Sequence, residues 1–330
     1  MGCVQVMRHL ISMLLFATVL HGQDVHVQVA PNGNNAGDGV TAFKTIQYAM
    51  DHAPQLGPGG RLYVHIADGV YAERVMVTAN RPRTTLLGNG TNPAAVVITA
   101  SQNAKSTGGT FFSETVDIEA PGFEADGVTF ANTAGATGQA VAIAVRSDRA
   151  IFKHCRFIGD QDTLFADSGR QYYTESYISG GVDFIFGNAA AVFDQVEIHE
   201  LRPGYLTAQS RTSGDQATGF VITNSKVTAD DLVGKSFYLG RPWRSFSRVV
   251  VMNTFLPGQL NTRVWSPWRQ GETMADVFYG EFGNTGPGAD KAKRLTSGQL
   301  TPEDAASFAP SVFLRGVDNW NAVAEAARLP

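Results

Sequence analysis

The sequence predicts an all-β solenoid: a parallel β-helix with short terminal helices. Two observations point there. Short β-prone runs recur between polar breaks across most of the 330 residues, and no helical periodicity alternates with them. In addition, Gln139, Gln161 and Asp183 fall at equal intervals of 22 residues, within the range of one repeat of a stacked architecture. A sandwich or closed barrel would meet the strand count equally well; the repeated interval favours the coil.

The N-terminus reads as an export signal over residues 1–22. Arg8 and His9 precede the apolar run Leu10–Leu20, and Gly22 is a small residue suited to cleavage before Gln23. The run is short for a membrane span. The remaining residues, 23–330, contain no linker rich enough to divide them and are expected to form one domain. Loss of Arg8 leaves 25 basic against 30 acidic residues, a balance that argues against nucleic-acid or anionic-membrane partners. Cys3 departs with the signal, so Cys155 stands alone and no internal disulfide is available. His154 beside it would point to the opposite face of a strand, which favours a buried structural cysteine over a nucleophile.

Along the chain, Asp24–Ala30 reads as a strand. Phe43, Ile46, Ala49 and Met50 share one face of a helix that Pro54 ends. Strand-like runs then follow: Leu62–Ile66, Val75–Val77, Thr84–Leu87, Val96–Ile98, Phe123–Phe130, Ala140–Val145, Ala150–Phe157, Gln171–Ser176, Ala190–Ile198, Gly219–Val227, Ser236–Leu239 and Arg248–Asn253. Thr301 with Pro302, Glu303 and Asp304 is a helix start: a capping hydroxyl, proline at the first helical position, then acids at the positive dipole end. Trp320–Arg328 reads as another helix. Terminal helices suit a solenoid, whose open ends need covering.

Common catalytic signatures are missing. There is no Gly-x-Ser-x-Gly elbow, and the seven histidines lack zinc-ligand spacing. The segment Ala229 to Ser236 nearly matches a phosphate loop but lacks its first glycine and leads into a strand-like run. Asn89-Gly90-Thr91 is a glycosylation sequon.

Two aspartates carry the functional argument. Asp162 lies in Gln-Asp-Thr-Leu-Phe and Asp183 in Val-Asp-Phe-Ile-Phe-Gly, 21 residues apart. On adjacent rungs they would sit roughly 4.8 Å apart in the hydrogen-bonding direction. Most aspartates are solvated turn residues, yet Asp183 interrupts a run that otherwise reads as buried strand. An uncompensated carboxylate there costs several kcal/mol, so it needs a partner, for which Arg241 is the candidate. Trp243, Trp265 and Trp268 come from two nearby segments and offer flat faces, or else core packing.

The ordered segments Gly69-Val70-Tyr71-Ala72-Glu73, Gln139-Ala140-Val141-Ala142-Ile143, Gln161-Asp162-Thr163-Leu164-Phe165, Asp183-Phe184-Ile185-Phe186-Gly187 and Leu239-Gly240-Arg241-Pro242-Trp243 together resemble the signature set of pectin methylesterases. Thr207-Ala208-Gln209 and the segment Tyr279 to Ala289 are similar to family sequence as well, so the likeness runs from about Val25 to Trp320. Departures are mild: Ile143 stands where leucine is common, and Phe165 where plant members have tyrosine.

The resemblance implies a right-handed parallel β-helix and a set of roles. Asp183 would be the nucleophile, Asp162 the general acid and then base, and Gln139 and Gln161 the donors to the oxyanion. Arg241 would hold Asp183 ionised. Trp243, Phe186, Phe165 and Val182 would line the substrate cleft, joined by Trp265 and Trp268. The implied partner is methyl-esterified homogalacturonan, acted on by a secreted monomer, extracellular or periplasmic, with no metal and no organic cofactor. Three rivals remain: a pectate lyase or polygalacturonase on the same architecture, a relative acting on thioesters, and a pectin-binding solenoid without activity.

Overall fold

The computed structural model describes residues 22–35, 41–234, 236–291 and 298–330. The expected export signal lies outside them apart from Gly22. Every strand pairing is parallel, and the strands stack into three sheets that wind together as a β-helix. Sheet A has eleven strands, beginning with Val25–Val29, Leu62–Ile66 and Thr84–Leu87. Sheet B has seven, among them Arg156–Ile158, Tyr177–Gly180 and Glu197–Glu200. Sheet C also has seven, including Val116–Ile118, Ile143–Val145, Leu164–Ala166, Ile185–Gly187, Tyr205–Gln209 and Tyr238–Gly240.

Several runs that read as single strands are bent pairs. Ala150–Phe157 divides into Ala150–Lys153 and Arg156–Ile158, with His154 at φ 47° between them. Ala190–Ile198 breaks at Gln195 and Gly219–Val227 at Asn224, at φ 57° and 48°. Gly127, Glu175 and Asn253 make the same left-handed step on their own coils. On each of these coils one residue thus turns the chain out of sheet A toward sheet B. Apolar alternation continues through such a corner, which hides it from a periodicity argument.

The interior is rich in stacked aromatic rings. Phe152 stacks on Tyr173 at 4.9 Å and Tyr173 on Phe193 at 4.8 Å, offset-stacking distances that repeat with the coil. Cys155 is buried, and burial pushes its thiol up to about 12, so it packs as a small hydrophobe rather than reacting.

The first helix, Ile46–His52, sends Ile46, Ala49 and Met50 into this core and closes the N-terminal end. The C-terminal helices Pro302–Ala306, Pro310–Phe313 and Ala322–Ala326 do something else. They were expected to cover an open end. Instead Phe308, Leu314, Trp320, Ala326 and Leu329 lie across the outward face of sheet A, on Ile151, Tyr172, Val192, Val221 and Val250. That face is apolar, so it needs a cover along its length. Polar ties fix the cover: Arg170 ion-pairs with Asp318 at 2.5 Å and lies over Trp320 at 5.4 Å. Lys153 Nζ donates to the carbonyls of Leu329 and Pro330, both at 3.1 Å. Thr301 caps its helix as expected, and Asp304 reaches back to complete a capping box.

A buried acid on sheet B breaks the apolar rule. Glu200 is fully buried, and neither carboxyl oxygen meets a hydrogen-bond partner among the described residues. Burial raises its pKa from the ordinary 4.5 to about 10; Arg202 opposes this, while Asp160 and Asp183 add to it. The folded state therefore keeps a proton that the unfolded chain releases. Stability from this group is full below pH 4.5 and is lost as pH rises toward 10. Glu200→Gln removes that slope. Its melting temperature relative to the parent should climb from pH 5 to pH 9; a pH-independent difference would refute the assignment.

Candidate active site

Sheet B passes into sheet C through a second left-handed corner, and both acids stand on it. Asp162 has φ 66° and Asp183 φ 51°, a conformation aspartate adopts more readily than most residues. The Asp162 amide donates to the Val182 carbonyl at 3.1 Å and the Asp183 amide to the Tyr205 carbonyl at 2.7 Å, so the corner is laddered from coil to coil.

The coil register brings the acids together but corrects the equal-interval argument. Gln139 bridges to Gln161 as expected, whereas Gln161 bridges to Val182, not to Asp183. Ile143 pairs with Leu164 and Leu164 with Ile185. Four steps separate Gln139 from Ile143, but only three separate Gln161 from Leu164 and Val182 from Ile185. The first of these coils holds one extra residue at the corner. Asp183 therefore falls beside Asp162, at the 21-residue spacing, and the glutamines precede the acids.

Both carboxyls are buried, with residue exposures of 8% for Asp162 and 4% for Asp183. Their partners differ. Arg241 grips Asp183 with a two-pronged fork, Nε to Oδ1 at 2.9 Å and Nη2 to Oδ2 at 2.6 Å. The guanidinium is itself flanked by the rings of Tyr205 and Trp268, each 4.1 Å from its carbon. Asp162 accepts no side-chain hydrogen bond among the described residues. Burial and then the like charge of Asp183 raise its pKa well above the usual carboxylate range, and Arg241 offsets only part of this. Burial raises Asp183 too, against the opposing hydrogen bonds and charge of Arg241. Arg241 is expected to hold Asp183 ionised, and burial opposes it. The asymmetry remains, because only Asp183 has the fork, so a shared proton belongs on Asp162.

Gln161 is half-buried and Gln139 exposed, and neither side-chain amide is engaged by another described residue. Sheet C supplies an outward column in which Ala144, Phe165 and Phe186 stand on successive coils, with Ala208 next. Phe165 and Phe186 stack at 4.6 Å, and Trp243 and Trp268 pack against this patch. Val182 is half-buried at the corner beside Asp183. Trp265 is the exception. It is fully buried and stacks on Tyr279 at 4.2 Å, so it belongs to the core and not to the cleft. Its neighbour in sequence, Val264, takes a left-handed φ of 64°, which turns the chain there.

Sequence reasoning missed four participants. Phe111, exposed in a glycine-flanked loop, leans over the cleft 5.0 Å from Phe165 and 6.5 Å from Trp243. Tyr205 sits under Arg241. Arg202 and Asp160 form an ion pair at 2.5 Å that spans two coils. It crosses Gly181, where a Cβ would lie 2.6 Å from Arg202 Cγ. That clasp lies two residues before each acid. A 680 Å³ hollow lined by His65, Asp126 and His154 shares no residue with this site.

Comparison with known proteins fits this geometry. A profile of the family described as Pectinesterase matches residues 33–317. The chain belongs to the pectinesterase family. A pectinesterase of Daucus carota is 40% identical over 303 residues, covering 87% of this chain and 94% of that protein. The probable pectinesterase/pectinesterase inhibitor 23 of Arabidopsis thaliana is 37% identical over 308 residues, 88% of this chain but only 53% of its own length. Among solved structures, pectin methylesterase from carrot superposes with a TM-score of 0.83 at 37% identity, over 92% of this chain and 96% of that one. Pectin methylesterase PemA from Erwinia chrysanthemi gives 0.75 at 29%, over 90% and 98%. This pectinesterase is thus an ester-hydrolysing enzyme on a parallel β-helix. No described helix is long and apolar enough to cross a membrane.

Proposed function

We propose that this pectinesterase is exported, loses residues 1–22, and as a single-domain monomer (23–330) removes methyl groups from methyl-esterified homogalacturonan. The observation that carries the catalytic reading is the unequal acid pair: Asp183 forked by Arg241, and beside it the buried Asp162 carboxyl, which accepts no side-chain hydrogen bond among the described residues.

Asp183 attacks the ester carbonyl carbon, and the carbonyl electrons move onto oxygen. The free amides of Gln139 and Gln161 donate to that oxyanion, a role worth about 2.7–4 kcal/mol per donor elsewhere. Collapse of the tetrahedral species breaks the bond to methoxide, which takes the Asp162 proton and leaves as methanol. An anhydride with Asp183 remains. Asp162, now ionised, takes a proton from water, and the resulting hydroxide adds to the anhydride. Asp183 leaves as carboxylate, the sugar leaves as its acid, and Asp162 is protonated again. Phe165, Phe186 and Trp243, with Trp268 and Val182 at the edge, present the apolar surface on which sugar rings lie.

Methanol release from highly methylated pectin by the purified protein tests this. Methanol at a rate proportional to enzyme supports it. Unsaturated sugar product without methanol would establish the lyase instead, and hydrolysis of a thioester alone would establish the thioester relative.

A further inference from the structure

The outward column of Phe165 and Ala144 continues one coil further, to Asp117. Asp117 thus stands two coils from Phe165, on the order of 10 Å along the coil axis. Ala144 carries only a methyl group, so the floor stays open between them. Arg146, just past Ile143–Val145, closes one flank. Its guanidinium carbon is 5.5 Å from the Phe165 ring. It ion-pairs with Asp117, with Glu114 at 3.5 Å and with Asp167 at 3.8 Å. Arg74 reaches Glu114 at 4.0 Å. Three carboxylates therefore share two arginines, and one buried oxygen of Glu114 has no hydrogen bond.

None of these groups is needed for the hydrolysis, and apolar residues would pack the floor at less cost. A charge maintained at a binding surface acts mainly by rejecting the wrong partner. We propose that Glu114, Asp117 and Asp167 form a charge-selective subsite that admits a methyl-esterified galacturonate unit and rejects its ionised acid, with Asp117 the specificity-determining residue. Arg146 holds the acids in place; three ion pairs occupy it, so it is not a free receptor for a uronate. This rests on the pectin methylesterase reading above.

The subsite is also tunable. Burial pushes the Asp117 carboxyl up to about 6, Arg146 pulls it down, and Glu114 and Glu119 on its own coil push it up. Arg74 lies on one side of this coil, with Arg146 and Asp167 on the other. Below pH 6 Asp117 gains its proton and repels a uronate less, so discrimination weakens there.

The test measures kcat/KM for methanol release on pectins of high and low methylation, for wild type, Asp117→Asn and Asp117→Glu. A wild type that releases no methanol sinks the methylesterase reading itself. With an active wild type, Asp117→Asn is expected to raise low-methyl activity relative to high-methyl activity by about fivefold, the effect of one partly screened like charge. Asp117→Glu should keep the parental ratio, and added salt should shrink the difference. An unchanged ratio in Asp117→Asn, or an equal shift in Asp117→Glu, overturns the proposal. If Asp117→Asn does not fold, the half-exposed Asp167→Asn decides: a shift in the same direction supports the subsite, and none refutes it.

Discussion

Asp183→Asn should fold and yet release methanol from pectin about 10⁴-fold more slowly or worse, the scale on which enzymes lose activity when a nucleophile is removed. The amide keeps the shape of the carboxyl and its oxygen still accepts one prong of the Arg241 fork, while its NH2 loses the other; asparagine also tolerates the corner at φ 51°. What is lost is the charged oxygen that bonds to carbon. Circular dichroism and melting should show a folded protein. A folded variant with more than a few per cent of parental turnover would eliminate Asp183 as the nucleophile and leave the family fold without the proposed chemistry.

Arg241→Lys should cut kcat by roughly 10²-fold, because a single ammonium cannot reproduce a two-pronged grip or lie flat between two rings. Tyr205 and Trp268 flank the guanidinium at 4.1 Å each, so both the fork and the stacking are lost. The pH profile carries the sharper result. Arg241 lowers the Asp183 pKa through its hydrogen bonds and its charge, against the upward push of burial. Weakening that grip raises the Asp183 pKa, and Asp183 must be ionised to attack. The acid limb of kcat/KM should therefore move to higher pH. A limb that stays in place while kcat falls would show that Arg241 acts only through packing.

The sequence carried the coil and the acid pair but not the corners. Asp183 was legible because a carboxylate amid valine, phenylalanine and isoleucine has to be compensated, and its partner Arg241 stood in another short motif. The corners were illegible because His154, Gln195 and Asn224 turn the chain with a single left-handed residue each, without the glycine or proline that marks an ordinary turn. The same economy misplaced Asp183 by one position, since a lone extra residue before Ile143 shifts the column. Trp265 was misread for a related reason. A tryptophan three residues from Trp268 reads as sharing its surface, yet the left-handed Val264 beside it sends it inward against Tyr279. Phe111 lay in a loop with no periodicity, and only its approach to Phe165 gives it meaning.

Neighbouring coils pair residues about twenty to forty positions apart, so winding can proceed as the chain emerges, each rung templating the next. Lys153 clasps Leu329 and Pro330 across 176 and 177 residues, and the aromatic cover over sheet A comes from the same final stretch. Until that stretch is made, the flank of an otherwise finished spiral stays greasy and unsealed. The segment from Thr301 onward thus acts as a latch that shuts over coils already wound.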